Sequence, residues 1–63
     1  MIDQCGYFDF GICRYYVTIS VIVTEEMKEW CRNNYKINTF AYGIYNLYFK
    51  NEADRNWFIL RWS

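Results

Sequence analysis

The chain has no histidine and no proline, only three glycines, and no surplus of either charge. Without histidine it lacks the commonest general base and the usual activator of a serine or cysteine nucleophile. Lys plus Arg and Asp plus Glu both count 7, so the basic excess that phosphate binding demands is missing, which argues against nucleic acid as a partner. There is no acidic surplus to mimic DNA either, and a net charge of zero favours self-association. Long hydrophobic runs are also lacking. The longest, Val17 to Val23, is interrupted by Thr18 and Ser20 and is too short to span a bilayer, so no membrane association is expected. The start, Met1-Ile2-Asp3-Gln4, has no basic region followed by an apolar run, and the expected location is the cytoplasm. No glycine-rich phosphate loop occurs. Asp9-Phe10-Gly11 matches a kinase tripeptide by chance, because the rest of a kinase does not fit in 63 residues.

Three cysteines are present, Cys5, Cys13 and Cys31. An odd number with no secretion signal reads as free thiols in a reducing compartment. With no histidine and no familiar zinc spacing, neither a metal nor any other cofactor is expected. Cys31 falls late in an apolar helical stripe, where a thiol is inert. Glu25, Glu26 and Glu29 on the same short helix read as a solvated face and a capped dipole rather than an acid–base pair. Catalysis is therefore not expected.

What the chain does have is aromatic mass. Five Phe, seven Tyr and three Trp make up 24% of its 63 residues. A single domain of this size is short of burial, and rings that each bury ~150–250 Å² supply it. There are more rings than one small core needs, and the surplus points to a contact face.

Arg14 to Val23 alternates with period two and is rich in β-branched residues, so it reads as a strand. Tyr15, Val17, Ile19, Val21 and Val23 fall on one side, Tyr16, Thr18, Ser20 and Ile22 on the other. Gly6 to Cys13 reads as a short partner strand with a turn near Asp9 to Gly11. Thr24 caps a helix whose first turn holds Glu25 and Glu26, and Met27, Trp30 and Cys31 share its apolar face. Asn33-Asn34 ends it. Thr39 to Lys50 reads as a strand bent at Gly43, or as a hairpin split within Tyr35 to Gly43. As one strand it sets Tyr45, Leu47 and Phe49 against Tyr42, Ile44, Asn46 and Tyr48. Asn51, with Asp54 three residues on, reads as the cap of a second helix. On that helix Ala53, Trp57 and Leu60 share a face, with Phe58 and Trp62 nearby and Arg55 and Arg61 toward solvent.

The expected fold is one α+β domain over 1–63, a small two-layer sandwich with two helices on one face of an antiparallel sheet. This order is similar to a ferredoxin-like fold that lacks its last strand. The sheet's other face would then be an open platform, and a protein-binding surface is expected among Tyr16, Tyr42, Ile44, Tyr48, Arg55, Arg61 and Trp62. An N-terminal segment, Ile2 to Phe10, is the alternative cover for it.

Two stretches resemble known proteins. Gly43-Ile44-Tyr45-Asn46-Leu47-Tyr48-Phe49-Lys50-Asn51-Glu52-Ala53-Asp54 is similar to the third strand and second helix of an RNA-recognition motif. It departs where that motif binds RNA, since the base-stacking aromatics fall on Ile44 and Asn46 and the basic residue before the glycine is Tyr42. The resemblance implies a strand-to-helix geometry. The ending Phe49-Lys50-Asn51-Glu52-Ala53-Asp54 with Trp57-Phe58-Ile59-Leu60-Arg61-Trp62-Ser63 resembles the C-termini of short proteins of tailed bacteriophages. That resemblance implies a phage protein that modulates a host or viral protein by binding it. The alternatives are a self-assembling subunit, as a homodimer or minor virion component, and a single-strand nucleic-acid binder that stacks bases on tyrosines.

Overall fold

Apolar side chains at every second position of Tyr15–Ile19 build the strand from which the rest of the protein is organised. The structure is a computed structural model and describes residues 1–9 and 11–63, so the part of the expected Asp9 to Gly11 turn at Phe10 lies outside the described residues. The elements are β1 (Ile2–Tyr7), β2 (Tyr15–Ile19), α1 (Glu25–Asn34), β3 (Phe40–Tyr42), β4 (Asn46–Phe49) and α2 (Glu52–Trp62). The sheet is antiparallel in the order β1-β2-β4-β3.

This is the expected α+β sandwich. In the ferredoxin-like order the strand after the second helix lies at the edge beside the first strand of the repeat. Here β1 takes that edge, paired with β2 through Cys5–Val17, Gly6–Tyr16 and Tyr7–Tyr15. The first hairpin therefore supplies, through β1, the edge that a ferredoxin-like sheet takes from the strand after its second helix.

β2 is half as long as expected. After Ile19 the chain bends, Ser20 N–H donates to the Met1 carbonyl and Val23 N–H to the Ile44 carbonyl. Val21 is thereby turned out to solvent, while Val23 returns to the core. Thr24 caps α1 as expected, its Oγ1 accepting from Met27 N–H at 3.2 Å. Asn51 does not repeat this at α2. It stands at the N-cap position without a side-chain cap bond, and its Nδ2 donates to the Asp54 carboxylate instead.

Residues paired directly across strands share a face. Val17 pairs with Leu47 and Leu47 with Tyr42, so Tyr42 lies on the helix-covered side with the core. The Tyr35 to Lys50 region is a hairpin, with β3 and β4 joined by Gly43 to Tyr45. Its turn reverses the phase expected for a single strand. Tyr42 and Leu47 are an odd number of residues apart and would oppose one another on one strand, but a hairpin puts them side by side. Tyr45, expected inward, sits in the turn and is exposed.

The core is Val17, Ile19, Val23, Met27, Cys31, Leu47, Phe49 and Phe58. Edge-on aromatic contacts lock the helices onto it: Trp30 meets Phe58 at 5.9 Å and Trp62 at 6.3 Å, and Tyr35 meets Phe49 at 5.4 Å. Helix α2 is turned roughly half a revolution from the expected orientation. Phe58, Ile59 and Trp62 face inward, while Ala53, Trp57 and Leu60 are exposed.

Candidate functional site

The seven expected surface residues do not form one site. Tyr16 and Tyr48 are directly paired on the open face and are brought together as expected. Both are half-buried, because Phe8 folds over them from beyond β1, with ring centroids 5.9 Å from Tyr16 and 6.0 Å from Tyr48. Tyr16 also lies across Gly6. A Cβ there would come within 2.9 Å of the Tyr16 hydroxyl, so a glycine is what lets the ring lie flat on β1. Beside this cluster Thr18 Oγ1 donates to Asn46 Oδ1 at 3.1 Å. The platform is thus smaller and better covered than expected.

Tyr42 is on the other face. Its ring lies 5.1 Å under Lys28 Nζ and lines a cleft of ≈ 340 Å³ with Arg32, Tyr35, Ile37 and Phe40. Arg55, expected to face solvent, has a side chain only 12% exposed. It donates to the Gly6 carbonyl at 2.9 Å and sits 5.5 Å over the Tyr15 ring, which ties α2 to β1. Arg61 is exposed and lies 4.3 Å over the ring of Trp62. Trp62 is half-buried against Trp30 and Phe58, and its Nε1 is buried with no hydrogen-bond partner among the described residues.

Ile44 is at the tip of the β3–β4 turn, 69% exposed, and the turn carries it away from the open face. The backbone there gathers other apolar residues around it. Val23 N–H bonds the Ile44 carbonyl at 2.7 Å, Ile19 N–H the Tyr45 carbonyl at 2.9 Å, and Ser20 N–H the Met1 carbonyl at 2.9 Å. Met1, Val21, Ile22, Ile44 and Tyr45, from three separate segments, therefore form a rim at one end of the sheet, each 44–69% exposed. The exposed Glu25 and Glu26 of α1 come three and four residues after Ile22, Glu25 paired with Lys28 at 3.3 Å, so Glu26 is the carboxylate left over on the side of α1 that follows the rim.

A single strand over Arg14 to Val23 would not form this rim, which needs the bend after Ile19. The signal against it was length: ten residues is long for a strand whose mode is about five or six. The Ala53–Trp57–Leu60 face turns outward for another reason. Both sides of α2 are apolar, and the larger set, Phe58–Ile59–Trp62, holds the core even though Asp54 and Arg55 neighbour it in sequence.

Neither Cys13 nor Cys31 is held as a thiolate. Burial pushes the Cys31 thiol up to about 12, against a weak opposing pull from Arg32. Burial also raises Cys13, against Lys50. Both shifts disfavour a reactive thiolate. Among the described residues no three metal-ligating side chains converge, and no helix is long and apolar enough to cross a membrane.

No protein-family model matches the chain, and neither a curated protein nor a solved structure matches it.

Proposed function

We propose that the chain is a small, non-enzymatic protein-binding module of phage origin, which acts in the host cytoplasm by engaging a host or viral protein through the rim at the end of its sheet. The observation that carries this reading is the convergence of Met1, Val21, Ile22, Ile44 and Tyr45, all exposed, at one place. A contiguous apolar patch on a small domain is costly to leave wet and commonly marks an interface. The carboxylate left over at Glu26 fits a partner that offers an apolar knob bordered by Lys or Arg. The phage origin rests on the resemblance of residues 49–63.

The test is capture from nuclease-treated bacterial lysate with three baits: the unaltered chain, an Ile22→Ser/Ile44→Ser double variant, and Tyr48→Ser. The expected result is one stoichiometric protein that the double variant loses and Tyr48→Ser keeps. Binding that survives the double variant but disappears with Tyr48→Ser would move the interface to the open face.

A further inference from the structure

β3 is an edge strand, and its outer side is bare backbone. The ladder to β4 shows which groups are left over. Gly43 N–H donates to the Asn46 carbonyl at 2.8 Å and Lys50 N–H to the Thr39 carbonyl at 2.9 Å. Thr39, Ala41 and Gly43 therefore turn their backbone groups toward β4, and the alternation of an antiparallel ladder turns those of Phe40 and Tyr42 outward. Two N–H donors and two carbonyl acceptors stand ready for another strand. The same two residues carry their side chains on the helix-covered side, where the rings lie stacked with centroids 6.4 Å apart and form the floor of the ≈ 340 Å³ cleft.

The two ends of this cleft differ in character. Helix α1 runs over β3 in the opposite direction, since Lys28 Nζ sits 5.1 Å from the Tyr42 ring centroid and the Tyr35 ring 6.1 Å from that of Phe40. At the Phe40 end, Tyr35 and the 84% exposed Ile37 make an apolar socket. The Tyr42 end is basic. Lys28 and Arg32 are one helical turn apart, and helix side chains lean toward the N-terminus, which sets Arg32 toward Lys28. Lys28 already pairs with Glu25 at 3.3 Å. Arg32 lines the cleft, is exposed, and has no ion pair among the described residues.

We infer that this edge receives an extended segment of a partner protein as an added antiparallel strand. A residue that pairs with Phe40 or Tyr42 sends its side chain to their face, into the cleft, while the residue between points to the open face. An antiparallel segment meets Tyr42 first and Phe40 second. The pattern recognised is therefore a carboxylate, any residue, then an apolar side chain, with the carboxylate on Arg32 and the apolar group in the socket. The β3 hairpin of a second copy does not offer this, because Lys36 to Lys50 holds no Asp or Glu. Two paired residues give only four backbone bonds, so binding is weak and the cleft supplies its selectivity. None of the rim residues lines the cleft, and the inference does not rest on the function proposed above.

The probe is the peptide Thr-Glu-Thr-Leu-Thr, blocked at both ends and titrated to about 2 mM into the full chain, with binding read from amide NMR shifts. Saturable shifts centred on β3 are expected, and hydrogen exchange at the Phe40 and Tyr42 amides should slow. Methylating the peptide's Leu nitrogen, which donates to the Phe40 carbonyl, should abolish binding. Methylating the central Thr nitrogen, which points away from β3, should not. Arg32→Glu, melting as cooperatively as the unaltered chain, should bind about fivefold more weakly. A peptide with Lys in place of its Glu should restore binding to that variant, and the reversed order Thr-Leu-Thr-Glu-Thr should bind the unaltered chain less well. Absence of binding over the range overturns the inference. So does a Leu-methylated peptide that binds as well as its parent, since the cleft would then take a side chain without a strand. An Arg32→Glu variant that treats the Glu and Lys peptides alike overturns it too. Self-association of the chain alone that Arg32→Glu removes would make a second copy the occupant and overturn it as well.

Discussion

Two ionisable side chains sit where only their neutral forms are comfortable. The Cys31 thiol is fully buried and is pushed up to about 12. The Tyr35 phenol is raised above its ordinary range, by burial first and then by the neighbouring Cys31 and Asp54. It also donates to the Asp54 carbonyl at 2.8 Å, a bond that needs the proton in place. Both are acids that hold their protons more tightly in the folded state than in the unfolded chain. The stability they contribute is therefore complete below the ordinary thiol value of 9.0 and is lost as pH rises from there toward about 12. The urea midpoint should be level near neutrality and fall steadily above about pH 9. Tyr35→Phe should make that fall shallower, since only the thiol then titrates. A midpoint that stays level to about pH 11 would mean these groups are not held neutral by the fold.

The helices differ in how their first turns are secured, and the difference is measurable. Thr24 makes a true side-chain cap and Asn51 does not. Thr24→Ala should cost about 1 kcal/mol and Asn51→Ala distinctly less, by chemical denaturation of each variant. Equal losses would show that Asn51 caps α2 in solution. Both caps were legible in sequence as residue types, since Thr and Asn precede acidic first turns, but the choice Asn51 makes between backbone and Asp54 is a matter of rotamer. The same divide runs through the other elements. Helix α1 could be read from one apolar stripe, Met27, Trp30 and Cys31, because the rest of its surface is polar. Helix α2 has apolar residues all round, and only the cluster formed with Trp30 decides that Phe58 goes inward. A hairpin was legible as an alternative, but with its split within Tyr35 to Gly43; the turn falls later, at Gly43 to Tyr45, and the phase was not legible. Whether Tyr42 joins the core or the open face depends on the turn at Gly43 to Tyr45, and a shift of one residue there reverses every side chain before it. The rim was illegible for a related reason. It is made by backbone hydrogen bonds between segments about twenty residues apart or more, such as Val23 to Ile44, and no local pattern announces them.

At the scale of the whole molecule, β1 does at the start of the chain what a ferredoxin-like fold does at its end. Moving the chain ends should therefore leave the architecture unchanged. A circular permutant that opens the exposed loop between Gly11 and Ile12 and joins Ser63 to Met1 would run strand, helix, two strands, helix, strand. The longest dimension of the protein is 25 Å, so about eight flexible residues suffice as the joint. The permutant should melt cooperatively with the aromatic circular dichroism of the original chain. A permutant that stays unfolded would show that the tight link between β1 and β2 is needed to bring that edge into place.

The bond between Arg55 and the Gly6 carbonyl spans 49 positions of the chain. Phe58, which closes the centre of the core, lies still later in the sequence. A fragment of residues 1–54 would therefore lack both, and the apolar strand face that α2 covers would stay open to water. Hydrophobic segments exposed in this way are what nascent-chain chaperones hold. Removing α2 should accordingly leave a chaperone-bound or aggregated product rather than a smaller folded domain.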